Sequence, residues 1–372
     1  MKGQRGKSGP TQSQSLMRVL IIGPLVVSLL LAACQGGGGQ PTSTSSGGTI
    51  RLNGAGATFP FPLYSRWFDE YAKITDVQVN YQSIGSGGGI RQITEGTVDF
   101  GASDGIMTEE QIKAAEKARG SILHIPSIMG AVAVSYNLPG IPSGQLKLTP
   151  DILADIYLKK ITSWNDPRIA QTNPGLPNIK VAVVHRSDGS GTTYIFTNYL
   201  SKVSPEWKEK VGNATAVSWP GDIGGQGNEG VAGLLRQTPG AIGYVELAYA
   251  KQNKMPWAAL RNAAGNFIEP SLTATSLAAQ GVPLPDDMKI MITNPTNPQA
   301  YPIVGFTWIL AYQKQTHQTK GKALVDMLWW AIHDGQKYAP PLDYAPLPED
   351  AVRKGEAQIR SITYNGQPLW QR

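Results

Sequence analysis

Arg186-Ser187-Asp188-Gly189-Ser190-Gly191-Thr192 combines the groups that hold a small oxyanion: a guanidinium, hydroxyls, and glycines that let backbone N–H groups come close. A β-like apolar run from Ile179 to Val184 precedes it, and a helix-like run from Tyr194 to Leu200 follows. That order places Gly189, Ser190, Gly191 and Thr192 at a helix N-terminus. There, unpaired N–H groups and the positive end of the helix dipole face outward. Ser190 and Thr192 add hydroxyl donors, and Arg186 supplies a charged fork suited to the oxygens of a tetrahedral anion. The same residues would also make an ordinary capped turn beside a surface arginine, so the rest of the chain has to decide.

Three other segments offer related chemistry. Gly54-Ala55-Gly56-Ala57-Thr58-Phe59-Pro60 leads into a helix from Phe61, which puts the N–H groups of Thr58 and Phe59 at a second helix start. Ile84-Gly85-Ser86-Gly87-Gly88-Gly89 joins a strand to a helix and presents the Ser86 hydroxyl. Val98-Asp99-Phe100-Gly101-Ala102-Ser103-Asp104 sets the Asp104 carboxylate just beyond a short strand. Any one of these is common punctuation. Four of them at strand C-termini, where α/β proteins bind ligands, point to one composite site.

Helical and β-like segments alternate to position these turns, which predicts an α/β fold with mainly parallel sheets. Helices are expected over Phe61–Lys73, Gly89–Glu95, from Thr108 (with Gln111 completing a capping box), from Thr149-Pro150 to Leu158, and over Lys320–His333. Strands are expected over Val77–Tyr81, Asp99–Gly101, Ala131–Tyr136, Ala241–Val245 and Gly305–Tyr312. Residues 254–302, rich in Pro, Asn and Thr, read as loops on the far side of one lobe. Trp67, Trp329 and Trp330 fall on helical faces and are expected to pack rather than to stack on sugars.

Residues 1–33 read as a cleaved leader: Lys2, Arg5, Lys7 and Arg18 precede an apolar run, Val19–Ala33, that is short for a membrane span. Leu31-Ala32-Ala33-Cys34 resembles a bacterial lipoprotein signal box, and Cys34 is the one cysteine of the chain. Cleavage would make Cys34 a lipid-bearing N-terminus, with residues 34–49 as a flexible polar tether to a membrane. One cysteine leaves no intrachain disulfide and no multi-cysteine metal site. The net charge of +6 falls to +2 without the leader, 29 basic residues against 27 acidic. With no dense basic run among aromatics, nucleic-acid binding is not expected.

The segments GAGATFP, IGSGGG, VDFGASD and RSDGSGT, with TPGAIGYVELAYAKQN at 238–253 and the late LDYAPLP at 342–348, resemble the marker segments of periplasmic-type phosphate-binding proteins that serve phosphate ABC transporters. The resemblance runs in order from about Leu52 to the end of the chain. It implies a two-lobed fold hinged by crossover strands, with the ligand in the cleft between lobes. Residues 50–130 plus 303–372 would form lobe 1, and 131–302 lobe 2. It further implies that Thr58, Phe59, Ser86, Ser190, Gly191 and Thr192 donate to phosphate oxygens. Arg186, held by Asp188, would add a cationic contact. Asp104 would accept the hydrogen bond of the phosphate's own proton, which sulfate lacks. A monomer without cofactor or metal, delivering phosphate to a membrane permease with its cytoplasmic ATPase, follows from the same resemblance. Gly87, where many relatives carry a second serine, and the apolar Gly105-Ile106-Met107 depart from the pattern.

Other readings find less support. A receptor or sensor for sulfate, arsenate or molybdate would share the oxyanion chemistry, although a sulfate site would want donors only. Gly225-Gln226-Gly227-Asn228-Glu229-Gly230 matches a dinucleotide fingerprint, with Glu246 roughly where that fingerprint expects a ribose-binding acid. The helical stretch after it, Val231–Gln237, spans only about two turns before Thr238-Pro239. Neither Ser86 nor Ser190 sits in a G-x-S-x-G elbow, and no Walker sequence occurs. The histidines at 124, 185, 317 and 333 have no metal-ligand spacing, and His185 is expected to face away from Arg186.

Overall fold

The computed structural model describes residues 48–371 apart from 222. The expected leader, Cys34 and the tether as far as residue 47 lie outside the described residues.

The chain opens with β1 (Ile50–Gly56), α1 (Phe61–Ile74), β2 (Val77–Ser83), α2 (Ser86–Glu95), β3 (Phe100–Ser103), α3 (Glu109–Arg119) and β4 (Ile122–Tyr136). The middle region contains β5 (Lys147–Leu148), α4 (Pro150–Tyr157), α5 (Pro167–Ala170), β6 (Ala182–Arg186), α6 (Gly191–Val203), α7 (Pro205–Lys210) and β7 (Ile223–Gly225). It continues with α8 (Gly227–Gln237), β8 (Ala241–Glu246), α9 (Leu247–Gln252), β9 (Ala259–Arg261), β10 (Phe267–Ile268) and α10 (Leu272–Ser276). The chain then returns through β11 (Val304–Tyr312) and the helices α11 (Gln318–Ile332) and α12 (Glu349–Arg360).

Local chemistry explains the helix starts. α1 has a proline in its first turn and buries Leu63, Tyr64, Trp67, Phe68 and Tyr71, a 3–4 spacing that lays one stripe on the core. Each such burial is worth roughly 1.5–3 kcal/mol relative to exposure. Thr108 caps α3 through Gln111 N, and the Gln111 side chain returns to Thr108 N, completing the expected capping box. Thr149 sits at the cap of α4 but makes no side-chain capping bond.

The main sheet runs β2-β1-β3-β11-β4-β8-β6-β7. Its flanks are parallel: β1 with β2 and β3 on one side, β6 with β7 and β8 on the other. Its centre is antiparallel, β11 lying between β3 and β4 and β4 pairing with β8. The expectation of mainly parallel pairing is therefore corrected to a mixed sheet. Helix–strand alternation reports crossover connections, but β11 arrives only after the long irregular stretch that follows α10, and its direction is set by that detour.

β4 is much longer than the expected Ala131–Tyr136. Residues 122–131 pair with β11 and residues 132–136 with β8, so one strand runs through both halves of the sheet. Pro126, which cannot donate to a ladder, disguises the first half. The pairing skips at that point: Thr307 faces Ile128 while Trp308 faces Pro126, a bulge that leaves Ser127 between them. The Ser127 hydroxyl contacts Tyr64 Oη at 2.7 Å and donates to Thr307 O at 3.0 Å, so the bulge is pinned. Trp67 and Trp330 are buried and meet edge to face at 6.5 Å, while Trp329 is half-buried and stacks on Trp370 at 3.8 Å.

Candidate anion-binding site

The four turns meet in space. Gly87 N donates to Gly189 O at 2.8 Å, joining the α2 turn to the α6 turn. An added Cβ on Gly191 would stand 2.5 Å from both Asp104 Oδ2 and Ser86 Oγ, so only glycine lets these three come together. Arg186 Nη1 donates to Thr192 Oγ1 at 3.3 Å. Asn228 Nδ2 donates to Thr58 Oγ1 at 2.7 Å and to Thr192 Oγ1 at 3.1 Å. The structure thus brings together Thr58, Phe59, Ser86, Asp104, Arg186, Ser190, Gly191 and Thr192, and all of them are buried. His185 points elsewhere and stacks on Trp219 at 4.9 Å.

Three helix N-termini aim at this point. Ahead of α1, the Thr58 and Phe59 carbonyls are occupied by Tyr249 Oη at 2.7 Å and Tyr344 Oη at 2.6 Å, which fixes the peptide planes. The N–H groups of Thr58 and Phe59 have no acceptor among the described residues, nor do those of Ser86 at α2 and of Gly191 and Thr192 at α6. Gly85 turns the chain into α2 with φ of 84°, a left-handed conformation that favours glycine. Ser190 caps α6 through Thr193 N at 3.1 Å and keeps its hydroxyl proton for another acceptor.

Arg186 ends β6 with its side chain almost fully buried. It forks onto Asp188, Nε to Oδ1 at 2.7 Å and Nη2 to Oδ2 at 2.5 Å, and Gly227 N adds a bond to Oδ1 at 3.1 Å. Burial pushes the Asp188 carboxyl up. The Arg186 hydrogen bonds and charge more than offset this and hold it below the usual range. Because this pair is neutral as a unit, an anion here would be stabilised chiefly by hydrogen-bond donors and helix dipoles.

Asp104 follows β3. Its Oδ1 accepts from Thr307 Oγ1 at 2.7 Å, and its N–H donates to Ser86 Oγ at 3.2 Å. Among the described residues Oδ2 has no hydrogen-bond partner; it is buried and faces Gly191 and Ser86. Burial pushes this carboxyl up to about 7, against the opposing pull of the Thr307 hydrogen bond, the Arg186 charge and Ser86. The site therefore offers many donors and one lone acceptor.

Several contributors escaped the sequence reading. Thr307 comes from β11, while Tyr249 of α9 and Tyr344 lie inside the 238–253 and 342–348 segments that carry the resemblance without being marked there as site residues. Asn228 lay within the apparent dinucleotide fingerprint. That segment opens α8, eleven residues rather than about two turns, and its first N–H groups go to Asp188 Oδ1 and to Thr58 Oγ1 at 3.3 Å. Glu246 Oε2 caps α9 through Ala248 N at 2.7 Å instead of standing ready for a ribose.

A model of the PBP superfamily domain matches residues 40–328. The phosphate-binding protein PstS of Xylella fastidiosa (strain 9a5c) is 46% identical over 321 residues, covering 85% of this chain and 87% of that protein. PstS of Methanocaldococcus jannaschii is 40% identical over 384 aligned positions, covering 95% and 98%. The chain belongs to the PstS family of phosphate-binding proteins. Among solved structures, a high-affinity periplasmic phosphate-binding protein, PfluDING, bound with phosphate at pH 8.5, superposes with a TM-score of 0.68. At 22% identity, covering 83% of this chain and 93% of that one, this likeness is one of fold. The fold is the two-lobed periplasmic-binding-protein fold, and β4 runs through both halves of the main sheet. In this PstS-family chain the four turns come from both halves and close on one another at the Gly191–Asp104–Ser86 contact.

Proposed function

We infer that this chain is an extracytoplasmic receptor that binds inorganic phosphate with high affinity and passes it to an ABC-type permease. Membership in the PstS family supports the ligand and the transport role. The observation that carries the reading is the donor-rich cage with the single buried acceptor Asp104 Oδ2. Phosphate near neutral pH keeps a proton to give to that oxygen, whereas sulfate and molybdate do not. Arsenate matches phosphate in this respect. The chemistry here is binding, with no catalytic step.

The ligand would be held by Thr58, Phe59, Ser86 and Asp104 from lobe 1 (residues 50–130 with 303–372) and by Arg186, Ser190, Gly191 and Thr192 from lobe 2 (residues 131–302). Asp188 would hold Arg186 in place. The change of pairing partner along β4, with Ala131 facing Val304 and Val132 facing Glu246, supports a hinge there. Calorimetric titration of the tether-free domain from residue 48 with phosphate and then sulfate tests the reading. One-to-one phosphate binding without sulfate heat is expected. Absence of phosphate binding by protein freed of co-purified anion would remove the reading.

The membrane anchor rests on Leu31-Ala32-Ala33-Cys34. Replacing Cys34→Ser in the full chain is expected to abolish incorporation of labelled fatty acid and to release the protein from the membrane fraction. Unchanged labelling would contradict lipidation at Cys34.

A further inference from the structure

Asn228 is fully buried in the first turn of α8, beside the cage but outside the group of residues assigned to the anion. Its amide has one allowed orientation. Glu246 N, which can only donate, reaches Asn228 Oδ1 at 2.9 Å, so Nδ2 must face the two threonine hydroxyls. Each hydroxyl oxygen has two acceptor positions. At Thr58 they take Asn228 Nδ2 and Asn228 N, at 2.7 and 3.3 Å. At Thr192 they take Asn228 Nδ2 and Arg186 Nη1, at 3.1 and 3.3 Å. All of these partners are N–H groups that cannot accept. The hydroxyl protons of Thr58 and Thr192 therefore remain for an acceptor elsewhere.

We propose that Asn228 is a positioning and specificity residue: it forces the Thr58 and Thr192 hydroxyls to act as donors toward the anion, and it ties the α1 turn to the α6 turn in the closed form. The consequence is selective. With both threonines locked as donors, an anion's protonated oxygen has only Asp104 to face, so the cage reads the proton at one place. The same amide bridges residues 58 and 192 from opposite halves of the sheet, and through Glu246 N it is anchored to the strand that pairs with β4 at Val132. The contact between the turns and the donor polarity of the cage thus depend on one side chain. This inference rests on the phosphate reading given above.

A thermodynamic cycle tests it. Phosphate affinity is measured for wild type, Asn228→Ala, the Thr58→Val/Thr192→Val double variant, and all three changes together, with thermal melts to verify folding. Asn228→Ala is expected to weaken phosphate binding about tenfold in the wild-type background and less than about threefold where the hydroxyls are already gone, because its effect passes through them. Asn228→Asp keeps the bond from Glu246 N but replaces the donor with an acceptor. At pH 8 it is expected to lose more affinity than Asn228→Ala, about a hundredfold relative to wild type. Equal losses from Asn228→Ala in both backgrounds, or Asn228→Asp binding like wild type, would overturn the proposal while leaving the phosphate reading intact. Wild type that fails to bind phosphate would remove that reading and this inference with it.

Discussion

Asp104→Asn is expected to admit sulfate. The substitution keeps an oxygen to accept from Thr307 Oγ1 but replaces the lone buried acceptor Oδ2 with an N–H donor. A fully deprotonated anion then meets donors throughout. Phosphate in turn loses the partner for its proton. An unpaired buried polar group costs about 1–3 kcal/mol, so the phosphate-over-sulfate ratio should fall by roughly one hundredfold in parallel titrations. Unchanged selectivity would mean that Asp104 does not read the proton.

The same carboxyl makes selectivity depend on pH. Burial raises its pKa from 3.8 to about 7. Above that value Asp104 is a carboxylate and repels an unprotonated oxygen. Below it the carboxyl O–H can donate, so sulfate binding by wild type should grow as pH falls through about 7. Stability follows with a definite sign. Between the two pKa values the folded state binds more protons than the unfolded state, so the ligand-free protein loses stability as pH rises through that window. A shift of this size is on the order of 4 kcal/mol. Ligand-free Asp104→Asn should therefore melt higher than wild type at pH 8, and the gap should close near pH 4. Such a trade of stability for function is common at binding sites.

Gly191→Ala is expected to lose phosphate binding while keeping the fold. Gly191 opens α6, where alanine is a better helix former than glycine, so the isolated half of the molecule tolerates the change. The conflict arises across the cleft, where the new methyl would stand 2.5 Å from Asp104 Oδ2 and Ser86 Oγ. The two halves could then not meet, and donors from one side would be withdrawn from the anion. Losing two to three hydrogen bonds at about 1–1.5 kcal/mol each weakens binding by at least about thirtyfold. Melting without ligand should be near that of wild type, and the upward shift that phosphate gives wild type should vanish. A retained shift would place Gly191 outside the closing seam.

Much of this site was legible because its groups sit in short contiguous turns. Gly189–Thr192, Thr58-Phe59 and Ser86 each announce themselves by small residues at a strand-to-helix switch, and the helices that begin there follow from apolar spacing. What stayed hidden depends on contacts between distant segments. Thr307 looks like any β-strand threonine until the antiparallel β3–β11 register, with Trp308 opposite Ser103, carries it to Asp104. Asn228 sits in a glycine-rich helix start that pattern alone assigns to a nucleotide, yet its N–H groups point at Thr58. The first half of β4 was masked by Pro126, and the antiparallel centre of the sheet could not be read from alternation, since β11 returns from a long excursion.

The most direct measurement is an X-ray structure of the tether-free chain with phosphate. Phosphate is expected in the cage, with the N–H groups of Thr58, Phe59, Ser86, Gly191 and Thr192 on its oxygens. Asp104 Oδ2 should lie at the short distance of about 2.5–2.7 Å that marks an O–H···O⁻ bond. Phosphate bound elsewhere, or Asp104 turned away from it, would contradict the account.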